Sequence, residues 1–194
     1  MSDSDPDSGS DPSPSPPRVL LDVMCGKLST YLRMCGYDAA YALDRGIEDD
    51  DRLRSLSAAE DRTLITRDRE LASRADDALC LTERDVLDQL REIVAAGYPV
   101  ELAAEPTRCG ACNGPVERVG VDESAAVDRP EYVPDDVGRP VEDGSSDAAP
   151  SGDDGPSGDA APTEARLAWR CLDCGRWFWK GGPWDDVAAR LETV

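Results

Sequence analysis

RVLLDVMCGKLSTYLRMCGYDAAYALDR (residues 18–45), with TLITRDRELASRA (residues 63–75) following it, sets the fold of this chain. Each stretch opens on a short apolar run, Val19–Leu21 and Thr63–Thr66, of the kind that forms a strand buried on both faces. After the first run, Leu28, Tyr31, Leu32 and Cys35 recur at spacings of three and four, predicting a helix from about Gly26 to Cys35 that Gly36 ends. A strand near Asp38 to Tyr41 follows, then a helix from about Asp49 to Ala59 whose acidic first turn complements the positive end of the helix dipole. Beyond Thr63–Thr66 come a short helix over Asp68 to Arg74, a strand over Ala78 to Leu81, and an amphipathic helix from Glu83 to Ala96. That last helix turns Val86, Leu87, Leu90, Ile93 and Val94 inward, with Thr82 as its N-cap and Gly97 and Pro99 as its stop. Strands alternating with helices predict an α/β domain with a mainly parallel sheet.

Both apolar runs end at an aspartate, Asp22 and Asp68. Open α/β sheets bind ligands outside the carboxyl ends of their strands, and carboxylates delivered there from separate strands can share a divalent ion. Asp44, Asp49, Asp50 and Asp51 can add to such a set, giving the layout of a metal-dependent phosphodiester hydrolase. The competing reading makes these acids solvated caps, with Asp68 simply capping the helix that follows it.

The formal charge of −20 comes from 41 acidic against 21 basic residues, and only Lys27 and Lys180 among the bases are lysines. Such a surface resembles the proteome of salt-adapted archaea and argues against tight, nonspecific binding of nucleic acid. Residues 1–17 alternate Ser, Asp, Pro and Gly, and residues 120–164 are similarly acidic and poor in apolar side chains. Both are expected to be disordered, the second as an insertion. Neither a signal-peptide pattern nor an apolar run long enough to span a bilayer occurs, so a cytoplasmic protein without membrane association is expected.

Four of the seven cysteines form two C-x-x-C pairs, Cys109 with Cys112 and Cys171 with Cys174. Each pair is followed by a residue tolerant of positive φ, Asn113 or Gly175, as in turns that aim backbone N–H groups at thiolate sulfur. Tetrahedral structural zinc is the natural occupant; rubredoxin-like iron and a redox disulfide are the rivals. Loop-closure entropy rises only logarithmically with length, so the long insertion between the pairs is tolerated. Trp169, Trp177, Phe178 and Trp179, interleaved with Arg166, Arg170, Arg176 and Lys180, read either as ribbon core or as a stacking platform for single-stranded nucleic acid, with core favoured. Cys25, Cys35 and Cys80 lie on apolar segments and read as small core residues; with no histidine in the chain, a cysteine hydrolase is excluded.

The ordered set D22-x-x-x-G-K-L-x-x-Y-L-R-x-x-G-Y-D38, I-E-D-D over residues 47–50, L-I-T-R-D-R-E-L-A over 64–72, and the two cysteine pairs resembles the PIN-like RNase family typified by the Mut-seven C-terminal domain. The resemblance implies a PIN-like three-layer nuclease domain over residues 18–105, followed by a small four-cysteine zinc ribbon over 106–184 that the insertion interrupts, and a C-terminal tail or short helix over 185–194. It implies catalytic roles for Asp22, Asp49 or Asp50, and Asp68, with Mg²⁺ or Mn²⁺ as catalytic cofactor. Lys27, Arg33 and Arg67 would approach phosphates, and Cys109, Cys112, Cys171 and Cys174 would hold structural zinc. The expected partner is RNA, single-stranded or structured. The chain departs from the family pattern in its acidic insertion and in lacking a histidine near Gly182-Pro183-Trp184. The alternative is a noncatalytic RNA-binding or protein-interaction module whose ribbon docks on a larger assembly.

Overall fold

The computed structural model describes residues 17–119, 130–134, 137 and 167–194. Strands β1 (Arg18–Leu21), β2 (Asp38–Tyr41), β3 (Thr63–Thr66) and β4 (Ala78–Cys80) form one parallel sheet in the order β2-β1-β3-β4. The chain thus moves outward from β1 to β2 and then crosses back to β3 on the other side of β1. This places the topological switch point, where open sheets form their ligand crevice, between the carboxyl ends of β1 and β3.

Alternation along the strands separates two cores. Val19, Leu21, Ala39 and Ile65 face one side, packing with Leu28 and Leu32 of α1 (Gly26–Met34) and Leu90 and Ile93 of α4 (Val86–Ala95). Leu20, Ala40 and Leu64 face the other, packing with Leu53 of α2 (Asp50–Ala59) and Leu71 of α3 (Arg69–Arg74). The result is helix, sheet, helix, and it explains why β1 reads as an unbroken apolar run. Gly36 takes φ +86° after α1, the left-handed conformation that lets the chain reverse into β2. One boundary differs from expectation. Asp85, not Thr82, caps α4 by accepting from the Leu87 N–H at 2.9 Å. Thr82 is instead held by the Glu92 carboxylate, which accepts from its N–H at 3.0 Å.

The second unit is a three-stranded antiparallel sheet of β5 (Val116–Arg118), β6 (Ala168–Cys171) and β7 (Trp177–Trp179). Trp169 and Trp177 are buried, and Trp177 packs with Ala168, Val133 and Val137. The aromatic segment is therefore core in large part. Most of the stretch 120–164 expected to be a disordered insertion, and residues 1–16, lie outside the described residues. Within that stretch, however, Val133 and Val137 are buried against the ribbon, and the Tyr132 hydroxyl accepts from the Trp177 N–H at 3.1 Å. A pair of valines four residues apart supplies enough apolar surface to pin this part of an otherwise polar segment. The C-terminal stretch is helix α5 (Gly182–Leu191), which returns to the first unit. Leu191 and Val194 pack on the core beneath α1 and α4, and Arg91 donates to the Thr193 carbonyl at 2.9 Å.

Candidate acidic site and cysteine centre

Asp22 leaves β1 at the switch point and is only 4 % exposed. Its Oδ1 accepts from the Val23 N–H at 2.5 Å and its Oδ2 from the Thr66 hydroxyl at 2.7 Å. The same Thr66 oxygen accepts from the Asp68 N–H at 3.0 Å, so one buried hydroxyl ties together the two strand ends that carry the acids. Asp68 caps α3, accepting from the Leu71 and Glu70 N–H groups, and these two bonds hold its carboxyl below the ordinary carboxylate range. Among the described residues Asp22 has no cationic partner within ion-pair distance. Buried anions are normally paired or bound to a metal, which sets Asp22 apart from a solvated cap.

The remaining acids stand farther apart. Asp49 caps α2 by accepting from the Arg52 N–H at 2.9 Å, and Asp50 faces Arg74 at 3.4 Å. Both sit where α2 starts, at the same end of the sheet as Asp22, but no three carboxylates among the described residues converge as metal ligands do. Asp44 pairs with Arg33 at 2.9 Å.

The three basic positions divide. Lys27 is exposed on the first turn of α1, and Arg67 follows β3 immediately before Asp68, its Nε buried without a hydrogen-bond partner. Arg33, expected to approach phosphate, is instead 2 % exposed and engaged on all three nitrogens. Nε donates to the Ala39 carbonyl at 2.9 Å, Nη1 to the Gly110 and Ala111 carbonyls at 3.1 and 3.0 Å, and Nη2 to Asp44. It is a clamp between the two units. Drawing it out to a phosphate would break these bonds.

Cys109, Cys112, Cys171 and Cys174 bring their sulfurs within 4.8 Å of one another. Sγ–Sγ distances are 3.7 Å for Cys109 and Cys174 and 3.5 Å for Cys112 and Cys171. A tetrahedron with Zn–S of about 2.3 Å has edges of about 3.8 Å, close to these two distances, so the donor set could hold zinc. The Cys112 and Cys174 N–H groups point at Cys109 and Cys171 sulfur at 3.4 and 3.5 Å, and the turns close on Asn113 at φ +68° and Gly175 at φ +70°. Burial, followed by the three neighbouring thiols, pushes Cys112 up to about 12, a crowding of sulfur that a cation relieves. Burial likewise raises Cys25 to about 12, with the Asp22 charge adding to it, in keeping with an inert core thiol.

One network escaped sequence reading. Arg62, 7 % exposed, bonds the Asp38 carboxylate at 2.9 and 3.0 Å and Glu60 at 2.6 Å, while Asn113 donates to Asp38 at 2.6 Å. Burial opposes the Asp38 charge, but the Arg62 and Asn113 hydrogen bonds and the Arg62 and Arg108 charges outweigh it and hold the carboxyl at about 2. Two charges of opposite sign 24 residues apart carry no local pattern that would reveal this pairing.

A parallel sheet with linked acids at its switch point, and a four-cysteine cluster able to hold zinc docked on its edge, defines an α/β domain with an appended four-cysteine module. Residues 17–139 match the family model described as the Mut7-C RNAse domain, and the chain belongs to that family. No curated protein and no solved structure matches the chain. Membership connects the chain to nuclease-like, RNA-related function. No helix among the described residues is long and apolar enough to cross a membrane.

Proposed function

We propose that the protein is a metal-dependent ribonuclease of PIN-like type that hydrolyses RNA phosphodiester bonds at the carboxyl ends of β1 and β3. The observation that carries this reading is the buried carboxylate of Asp22, without an ion-pair partner among the described residues and joined through Thr66 to Asp68 at the switch point. Asp22 and Asp68 would hold Mg²⁺ or Mn²⁺, which binds through one or two carboxylates, several waters and substrate phosphate, and so does not need three converging acids. Bound there, the ion supplies Lewis-acid stabilisation of the leaving oxygen. Asp49 and Asp50, at the start of α2 on the same end of the sheet, would add negative charge around such an ion. Arg67, half-buried immediately before Asp68, and exposed Lys27 would approach the phosphate, while the four-cysteine cluster would hold structural zinc with no coordination position left open.

If the acidic surface reflects a salt-rich cytoplasm, where screening lengths shrink to about 3 Å at 1 M, such short-range contacts are the ones that survive. The test is cleavage of a labelled mixed-sequence RNA at high potassium, with Mn²⁺ or with EDTA, by the wild type and Asp22→Asn. Cutting by the wild type with Mn²⁺ alone, abolished in the variant, is expected. A protein that binds the RNA but cuts it in neither condition refutes the enzyme and leaves a noncatalytic binding module.

A further inference from the structure

Strand β2 is an edge strand, paired with β1 on one side only. Among the described residues, its outward-facing peptide groups at Ala39 meet no further strand. The Ala39 N–H donates to the Asn113 side-chain oxygen at 2.9 Å, and the Ala39 carbonyl accepts from Arg33 Nε at 2.9 Å. The first cysteine turn therefore covers the sheet edge in place of a fifth strand. Every group it uses is set by the cysteines. Gly110 and Ala111, whose carbonyls take Arg33 Nη1, lie between Cys109 and Cys112, and Asn113 follows directly. The turn is closed by the Asn113 N–H to the Cys109 carbonyl at 2.9 Å and the Cys109 N–H to the Gly114 carbonyl at 2.8 Å.

We infer that zinc at the four-cysteine cluster is coupled to the edge of the α/β sheet through Asn113 and Arg33, so that losing the metal unpins β2. The inference rests on the reading that the cluster holds zinc. Without the ion, four crowded sulfurs no longer converge, the turn loses its shape, and the acceptors for buried Arg33 and the partner of the Ala39 N–H move away together. A buried guanidinium left short of acceptors is costly, so the disturbance does not stop at the ribbon. Arg33 also holds Asp44, just beyond the carboxyl end of β2. The grip lies at Asp38 and Ala39, opposite Arg18 and Val19, so the end of β2 that is released is its amino end.

Amide hydrogen exchange on the full chain, loaded with zinc or stripped by a chelator, tests this, with bound zinc measured in each sample. The variant to pair with the wild type is Asn113→Gly. Glycine keeps the positive φ of the turn but removes the side chain that grips β2. In the wild type, stripping should make the Ala39 amide exchange about tenfold faster, the protection of one hydrogen bond, while the Leu64 amide of central β3 keeps its rate. Asn113→Gly should still bind zinc, yet exchange quickly at Ala39 with zinc present and gain nothing further on stripping. Ala39 protection that survives stripping of a zinc-loaded wild type overturns the coupling alone. A chain that takes up no zinc overturns the zinc reading and the coupling with it.

Discussion

Acidification should expose the Asp38 network as a defined step in stability. The Asp38 carboxyl is held at about 2 against an ordinary 3.8, so its contribution is complete above pH 3.8 and vanishes as the pH falls through 2. At about 1.4 kcal/mol per unit, that depression amounts to about 2 kcal/mol. The side chain is 12 % exposed and its partner Arg62 6 %, so solvent screens the pair little. Urea unfolding of the wild type and of Asp38→Asn, measured from pH 7 down to pH 2, isolates this contribution in the difference between the two curves. That subtraction also removes acid effects common to both, including protonation of Asp68. At neutral pH the variant should be weaker by about 3 kcal/mol, because Arg62 keeps Glu60 but loses its closest buried counter-charge. The gap should narrow by about 2 kcal/mol between pH 4 and pH 2. A gap that stays constant over that range would mean that Asp38 titrates normally and that the network carries no linked stability.

Thr66→Val should cost about 2 kcal/mol in urea unfolding, because it strips both Asp22 Oδ2 and the Asp68 N–H of their shared partner. Under the proposed activity it should also slow RNA cleavage. Arg33→Met should destabilise the chain by about 3 kcal/mol in the same assay without changing the salt dependence of RNA binding, since the side chain is spent on internal acceptors. Asp85→Ala should cost about 1 kcal/mol in urea unfolding through loss of the α4 cap; no change in stability would show that the assignment of the cap is wrong.

Much of the α/β domain was legible because its signals are local. Val19–Leu21 and Thr63–Thr66 announce buried strands by composition alone, Gly36 marks a helix end by its backbone freedom, and Asn113 and Gly175 mark cysteine turns for the same reason. The convergence of two cysteine pairs was legible through metal chemistry, even across a long intervening segment. What stayed hidden depends on partners far away in the chain. Arg33 has the composition of a surface residue, and nothing near it shows that its acceptors lie 77 and 78 residues ahead. Arg62 and Asp38 were hidden likewise. Thr66 stood in the T-R-D run that was read for its aspartate, and only the distance to Asp22 shows the hydroxyl bridging the two acids. Val133 and Val137 carried a weak signal, two apolar residues at a four-residue spacing, that the acidic composition around them masked.

The junction of β5 and β6 has a practical consequence. These strands lie side by side, with Arg118 opposite Trp169 and the Val119 N–H bonded to the Ala168 carbonyl at 2.8 Å, so the chain departs from and rejoins the sheet at neighbouring points. The two ends of the intervening chain are therefore set by strand pairing and not by its length, so the register of Arg118 against Trp169 should survive lengthening or shortening between them.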